Sequence, residues 1–408
     1  MMTGLLGRHL AHSYSPQIHR ELGDYPYLIF EKEPKDVEEF LRNGDFDALN
    51  VTIPYKKTVL PFCDELSPAA RRLGAVNTIV RKADGKLIGH NTDFFGFTAM
   101  VKESGLNIAG QKALVLGSGG AANTAVAVLK EFGSNVVTIS RSGENNYQNL
   151  HLHRDAMLIV NATPVGMYPD NGVAPVNLDD FPQLKGVLDM IYNPARTRLL
   201  IDAKRKGLVA VNGLLMLVAQ AKESAEWFTG RTIDDAVIPK IVSQLIREME
   251  NIILIGMPGS GKSTVGKLLA EKTGRFFVDA DEQIALRAGC PIPKFLQSEG
   301  EDAFRALETE VLSVLGKQSG KIIATGGGCV TRPENLDLLH QNGRIFCLER
   351  DLEALPTAGR PLSQQTPLTE LYRIRRPLYD HFADHHIDNN LTAEIAADAI
   401  VKLWEECL

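Results

Sequence analysis

The chain has 408 residues, 44% hydrophobic and 23% charged, with a net charge of -6. At ~100–200 residues per domain this length predicts several domains with buried cores, and the acidic balance excludes nucleic acid as the main partner. No apolar run approaches the ~20 residues that cross a bilayer, and the N-terminus MMTGLLGRHLAHSYSP lacks a signal peptide's apolar core, so no membrane partner and a cytoplasmic location are expected. Five scattered cysteines, Cys63, Cys290, Cys329, Cys347 and Cys407, form no C-x-x-C and indicate a reduced protein. The pairs His151/His153 and His385/His386 have no carboxylate or cysteine spaced to complete a metal site.

Residues 3 to 7 predict a buried strand, followed by the polar loop His12-Ser13-Tyr14-Ser15-Pro16. In an extended segment Ser13 and Ser15 face the same way and can offer two hydroxyls to one ligand group; Ser15 before Pro16 also suits a helix N-cap. A second strand, Ala48 to Ile53, places Asn50 and Thr52 on one face, with Lys56 just beyond. Lys56 alone would be an ordinary surface lysine. Two further polar tips, Gly74 to Thr78 and Gly89 to Asp93, complete what reads as a cleft for a polyhydroxylated small molecule.

At Lys112 the pattern becomes Rossmann-like. The strand Ala113 to Leu116 runs into Gly117-Ser118-Gly119-Gly120-Ala121-Ala122, which satisfies G-x-G-x-x-G/A, and then into an apolar helix, Thr124 to Phe132. The strand Asn135 to Ile139 ends in Ser140-Arg141-Ser142 rather than an acid, which suits a 2′-phosphate and hence NADP. Only about twenty residues separate Arg141 from Asn161, too few for the usual helix and strand. Later segments predict a strand before Asn161-Ala162-Thr163, a strand Gly186 to Met190 ending near Tyr192, and helices Thr197 to Gly207, Gly213 to Phe228 and Asp234 to Met249.

The series HSYSP, NVTIPYK, GAVNT, NTD, GSGGAA, NATPVGM, DMIYNP and GLLMLVAQA resembles shikimate dehydrogenase over residues 1–248. The resemblance implies a substrate-binding domain of residues 1–98 with 211–248 and an NADP-binding Rossmann domain of residues 99–210. It implies that Ser13, Ser15, Asn50, Thr52, Asn77, Tyr192 and Gln220 hold shikimate and that Lys56 and Asp93 are the catalytic pair. NADP(H) would lie on Gly117, Gly119, Gly120, Ala121, Arg141, Asn161, Thr163, Met190 and Gly213.

A second enzyme is expected from Asn251, where NIILIGMPGSGKST is a strand entering a phosphate loop, G-x-x-x-x-G-K-[ST]. Backbone N–H groups there suit the phosphates of ATP, contributed by Gly259, Ser260, Gly261, Lys262, Ser263 and Thr264. The strand Arg275 to Val278 delivers Asp279 and Asp281, one suited to Mg²⁺ and one to a substrate hydroxyl; a helix cap would explain the same residues. A helix Glu299 to Leu315 carries Arg305 and Glu308, and the strand Lys321 to Thr325 ends in Gly326-Gly327-Gly328. Alternating strands and helices predict a three-layer α/β kinase domain.

The set GMPGSGKST, FFVDAD, EGEDAFR, TGGG, GRPL and RIRRPLY resembles shikimate kinase over residues 251–408. It implies that Asp281, Arg305, Gly327, Gly328 and Arg375 bind shikimate, that Ser263 and Asp279 hold Mg²⁺, and that Lys262, Asp281 and the lid residue Arg360 are catalytic. Together the resemblances imply a bifunctional enzyme acting on 3-dehydroshikimate and shikimate. A quinate-type dehydrogenase fused to a related kinase, or one half that binds without turnover, are the competing readings. A homodimer is an open possibility for the assembly, and Glu248 to Asn251 reads as a rigid seam.

Overall fold

The computed structural model describes residues 1–10, 13–355 and 367–406. They fall into two compact units: Met1–Met167, Val173–Tyr192 and Leu199–Val242 form one, and Tyr168–Gly172, Asn193–Arg198 and Ser243–Leu408 the other.

The first unit contains two sheets. The first uses β1 (Thr3–Gly7), β2 (Tyr27–Glu31), β3 (Ala48–Val51), β4 (Glu65–Leu66), β5 (Thr78–Arg81) and β6 (Leu87–His90), in the order β2-β1-β3-β5-β6-β4. β1 pairs parallel with both β2 and β3, whereas β3–β5 and β5–β6 are antiparallel. Leu6, Leu49 and Ile79 are fully buried in its core. Each such side chain withdrawn from water contributes about 1.5–3 kcal/mol. β3 stops at Val51, short of the expected Ile53, which is 78% exposed. The polar tips Asn50, Asn77 and His90 still gather along one edge, because β3 pairs Asn50 with Thr78 and β5 pairs Thr78 with His90.

The second sheet is wholly parallel: β7 (Lys112–Leu116), β8 (Asn135–Ile139), β9 (Leu158–Asn161), β10 (Gly186–Asp189) and β11 (Val209–Val211), ordered β11-β10-β9-β7-β8. The chain passes from β8 at one edge to β9 on the far side of β7, so a topological switch point lies between β7 and β9. Leu116 pairs with Asn161, so the loops from Gly117 and from Ala162 leave the sheet side by side there. Between β8 and β9 the described residues contain a short 3₁₀ turn, Leu150–His153, and no α-helix, as the spacing requires.

The second unit has β12 (Asn251–Ile255), β13 (Phe276–Asp279), β14 (Lys321–Ala324), β15 (Gly343–Glu349) and β16 (His385–Asp388), all parallel in the order β13-β14-β12-β15-β16. β12 lies at the centre. Its four isoleucine and leucine side chains, Ile252 to Ile255, are fully buried, alternating between the two cores that flank the sheet. The helix expected from Glu299 is part of a longer segment, Ile292–Gly316, broken at Gly300, whose φ of 86° is a left-handed conformation. Arg305 therefore lies just inside the helix that restarts after the break. Helix Val237–Met249 is followed by Glu250 and then β12. Glu250 is 7% exposed and accepts an ion pair from Arg344 at 2.8 Å.

Candidate active sites

In the first unit Lys56 Nζ donates to Asp93 Oδ2 at 2.6 Å, and Asn77 Nδ2 donates to Asp93 Oδ1 at 3.0 Å. Asp93 opens helix Asp93–Glu103, where the positive helix end favours its carboxylate. The lysine side chain is 29% exposed and the aspartate 11%, so the pair is reachable from solvent on the ammonium side.

Behind this pair lies a buried neutral network. Asn77 Oδ1 accepts from the Thr92 N–H at 2.8 Å and from Thr78 Oγ1 at 3.1 Å. Asn50 Nδ2 donates to Ser224 Oγ at 2.8 Å and Thr78 Oγ1 at 3.2 Å, while its Oδ1 accepts from the Tyr27 hydroxyl at 2.7 Å. Ser224 Oγ also lies 2.8 Å from Thr78 Oγ1 and 2.9 Å from Thr92 Oγ1, and donates to the Gln220 carbonyl at 2.9 Å. The Asn50 and Asn77 amides, 5% and 2% exposed, thus brace the site from behind. Gln220 Oε1 lies 3.5 Å from Asn77 Nδ2 and Thr92 Oγ1.

Ser15 is not the N-cap: helix Ser15–Leu22 has Tyr14 at that position with no side-chain cap, and Ser13 Oγ accepts from the Ser15 N–H at 3.2 Å. Ser15 opposes the strong upward shift that burial imposes on the Tyr27 phenol. Tyr27 stacks on His19 at 4.0 Å, and burial depresses the His19 imidazole to about 3, so this ring stays neutral. Thr52 follows β3, its N–H bonded to Leu6 O at 2.9 Å. Tyr192 packs edge-on against Tyr14 at 6.1 Å, and burial raises its phenol.

At the switch point, helix Gly120–Glu131 begins with Gly119 at its N-cap and no side-chain cap. A Cβ at Gly119 or Gly120 would meet nothing within 4 Å, so an anion can approach the backbone N–H groups there. The helix starts earlier than the apolar periodicity indicated, which puts Ala121 in its first turn. Arg141 stands at the end of β8, exposed and close enough to Tyr147 to oppose the burial shift of that phenol. Asn161, fully buried, accepts from Thr163 Oγ1 at 2.7 Å and donates to Asp189 at 3.0 Å, so it fixes the turn carrying Thr163. Gly213 is required by close approach: a Cβ there would overlap the Met190 carbonyl.

The second unit has a cleft of about 710 Å³, lined by the phosphate loop, Asp279, Asp281, Arg305, Glu308, Gly326 to Gly328 and Arg375. Ser263 Oγ donates to Asp279 Oδ2 at 2.6 Å, and Asp279 Oδ1 accepts from the Asp281 N–H at 3.0 Å. Asp279 thus ends β13 and caps helix Ala280–Ala288, while Asp281 lies in that helix's first turn rather than on the strand. Lys262 Nζ donates to the carbonyls of Gly256 and Met257 at 2.9 and 3.0 Å. Thr264 follows in the first turn of helix Lys262–Thr273, and Gly259 turns the loop before it.

Arg305 is 5% exposed and donates to Glu308 Oε2 at 2.8 Å and Glu301 Oε1 at 3.1 Å. Glu308 has no exposed surface; burial raises its carboxyl above the usual range, against the pull of Arg305. The three glycines each accommodate a different neighbour. A Cβ at Gly326 would lie 2.7 Å from Glu308 Oε1 and 2.8 Å from Asp281 Oδ1, one at Gly327 would lie 2.7 Å from Pro258, and one at Gly328 would overlap the Arg305 guanidinium. Arg375 Nη1 donates to the Gly327 carbonyl at 3.1 Å, beside the Tyr379 hydroxyl on the same oxygen. Arg360 lies outside the described residues.

Glu308 as a partner of Arg305, and Ser224 altogether, are absent from the motifs of the sequence. Glu308 is three residues from Arg305 and Ser224 four from Gln220, spacings that put each pair on one helix face. That signal was present. Which face meets the site was set by packing.

Comparison with known proteins covers both units. A family model described as "Shikimate dehydrogenase substrate binding domain" matches residues 5–79, and one described as "Shikimate kinase" matches residues 258–405. A shikimate dehydrogenase (NADP(+)) of Clostridium perfringens is 34% identical over 266 residues, covering 60% of this chain and 98% of the relative. The crystal structure of shikimate dehydrogenase 1 from Peptoclostridium difficile superposes with a TM-score of 0.56 at 33% identity, covering 60% of this chain and 97% of that one. The Thermus thermophilus shikimate 5-dehydrogenase, solved with NADP(H) and shikimate, gives 0.54 at 32% identity, covering 60% and 99%.

Proposed function

The chain belongs to the shikimate dehydrogenase family and carries a shikimate kinase domain, and from that premise we propose that it catalyses two successive reactions. The first is NADPH-dependent reduction of 3-dehydroshikimate to shikimate; the second is ATP-dependent phosphorylation of shikimate to shikimate 3-phosphate. The observation that carries the first reading is the Lys56–Asp93 pair at 2.6 Å, seated on a neutral hydrogen-bonded floor. The second rests on a phosphate loop that shares one cleft with Arg305 and Arg375. Residues 1–98 with 211–248 serve as the substrate-binding part, 99–210 as the NADP-binding part, and 251–408 as the kinase.

Reduction of a ketone requires a proton for the developing alkoxide. Lys56, ammonium held by Asp93, can donate it and stabilise the negative charge. The uncapped helix start at Gly120, open space at Gly119 and the cation Arg141 fit a phosphorylated dinucleotide. NADPH, when bound, supplies the hydride. Ser13, Ser15, Asn50, Thr52, Asn77 and Gln220 then orient the ring, Asn50 and Asn77 also bracing the floor and Tyr192 adding a hydroxyl.

In the kinase cleft Arg305 and Arg375 can hold the shikimate carboxylate through forked hydrogen bonds, and Glu308 fixes the Arg305 plane. Asp281 accepts the proton of the attacking hydroxyl, and Lys262 stabilises the transferring phosphoryl. The hard oxygen donors Ser263 and Asp279 suit Mg²⁺, which when bound neutralises phosphate charge. We assign Arg360 to closing the nucleotide side. The substrates are small soluble acids, which favours a cytoplasmic setting, and a homodimer is our working assembly.

One coupled assay tests the scheme: 3-dehydroshikimate, NADPH, ATP and Mg²⁺, with NADPH loss and ADP release followed in parallel. Lys56→Ala is expected to lower NADPH oxidation by about 10²–10⁴-fold while leaving ADP release from added shikimate. Lys262→Ala is expected to do the reverse. Silencing of both activities by either change in a folded chain would break the reading of two independent sites. Turnover of quinate but not of shikimate would establish the alternative substrate.

A further inference from the structure

We propose that Asn389 is a positioning residue for nucleotide binding: its amide fixes the peptide between Ser260 and Gly261 so that the Gly261 N–H faces the phosphate cleft. The inference deepens the kinase reading above and rests on it. Asn389 directly follows β16, and its own N–H donates to the Glu349 carbonyl at the end of β15 at 2.8 Å, which ties it to the sheet. It is 5% exposed, and its Nδ2 donates to the Ser260 carbonyl at 2.7 Å. The turn around it is braced, since Asp388 Oδ1 accepts from the Asn390 N–H at 2.9 Å and Asn390 Oδ1 from the Asp351 N–H at 2.8 Å.

A trans peptide is planar, so its C=O and N–H point to opposite sides. Holding the Ser260 oxygen towards Asn389 therefore aims the Gly261 N–H the other way. Gly261 lines the cleft and Ser260 is fully buried behind it, so the opposite side is the one that receives phosphate. The need for such a restraint follows from the residue type. Gly261 has φ of 93° and no Cβ to oppose rotation of the preceding peptide, so both orientations are open to the backbone alone. A Cβ at Gly261 would lie 2.6 Å from Asn389 Nδ2, so the glycine and the asparagine amide fit each other closely. The amide is also suited chemically. It donates to a carbonyl without bringing a negative charge near an anion, which an aspartate of the same shape would do.

The test uses the full chain and steady-state ADP release at varied ATP and varied shikimate, for the parent, Asn389→Ala, Asn389→Asp and Asn389→Ser. Loss of one hydrogen bond should raise KM for ATP about tenfold in the alanine variant and leave KM for shikimate within about twofold. Asn389→Asp should raise KM for ATP further, and Asn389→Ser, which keeps a donor, should recover part of it. NADPH oxidation by the same preparations reports that the chain is intact. The proposal is overturned if KM for ATP is unchanged in the alanine and aspartate variants, if serine is no better than alanine, or if both KM values rise together with a fall in melting temperature. If the parent releases no ADP at all, the kinase reading falls. Titration of ADP into the four proteins then judges Asn389 separately, a common affinity overturning the proposal and a weaker one in alanine and aspartate supporting it.

Discussion

In the first unit Asn50, Asn77, Thr78, Thr92 and Ser224 exchange neutral hydrogen bonds behind one ion pair, whereas the wall of the second unit's cleft is ionic, with Arg305 and Glu308 both buried and in contact. The neutral network is distributed: each member has several partners, so losing one leaves the others largely satisfied. The ionic wall is concentrated in a few charges: buried Glu308 depends on Arg305, whose other carboxylate partner, Glu301, is largely exposed. A buried pair broken by removing one member leaves an uncompensated charge, which costs about 3–5 kcal/mol. A single neutral hydrogen bond is worth about 1 kcal/mol. The two arrangements should fail differently.

The sharpest way to break the comparison is Glu308→Ala. It should destabilise the second unit by up to about 3–5 kcal/mol, with the exposed Glu301 still contacting Arg305, seen as a lowered transition in calorimetry, and raise KM for shikimate in the kinase assay. If Glu308→Ala melts like the parent, the ionic wall is not concentrated as described. Arg305→Met with Glu308→Leu, replacing both charges, should recover most of the stability but none of the kinase activity. That separates folding from binding.

Ser224→Ala is the matching change in the neutral network, and its effect should be smaller. We expect a loss of about 1 kcal/mol and a severalfold drop in NADPH oxidation, with ADP release from shikimate unaltered. A loss as large as that of Glu308→Ala would show that the network depends on this hydroxyl alone.

A pH experiment addresses the aromatic border of the same network. His90 stacks on Trp227 at 3.6 Å, and burial lowers its imidazole to about 4. The unfolded chain takes up a proton near the ordinary value of 6.5 that the folded ring refuses. Stability from a neutral His90 is therefore complete above 6.5 and is lost as pH falls towards 4. Glu223, raised to about 7 by burial, has the opposite sign, its contribution being present at low pH and lost as pH rises towards 7. His90→Phe should keep the stack and flatten the acid-side loss by roughly a few degrees of melting temperature; an unchanged pH profile would exclude His90. The smallest effect expected is at Glu248 to Asn251, which lie within the second unit. With Glu250 buried against Arg344, limited proteolysis should spare Glu248 to Asn251, and rapid cleavage there would contradict the rigid reading.

Much of both sites was legible because their chemistry sits at strand ends, where a short motif places side chains directly. Lys56 after β3, Asp93 after β6 and Ser263 with Asp279 around β12 and β13 are of this kind. The family resemblance added the remaining assignments. What could not be read is what depends on packing between distant elements. β2 has partly exposed residues and no alternation, so neither Tyr27–Glu31 nor helix Val37–Asn43 announced itself, yet β2 brings Tyr27 to Asn50. Asn50 read as a ligand because it is polar at a strand end; its commitment to Ser224, 174 positions later, carries no local signal. Gly300 illustrates the reverse case, a local residue whose left-handed φ divides the segment Ile292–Gly316 and sets where the helix carrying Arg305 restarts, close to the expected start at Glu299.

The run Gly326-Gly327-Gly328 has a consequence for any saturation library made across the cleft. All three positions should reject every side chain, and a sequence logo would show one uniform block. The failures behind it are separable by assay. Alanine at 326 presses on Glu308 and Asp281, alanine at 327 on Pro258 of the phosphate loop, and alanine at 328 on the Arg305 guanidinium. The first should act on turnover, the second on ATP and the third on the acid substrate. Three adjacent and chemically identical letters would thus report on three different parts of one reaction.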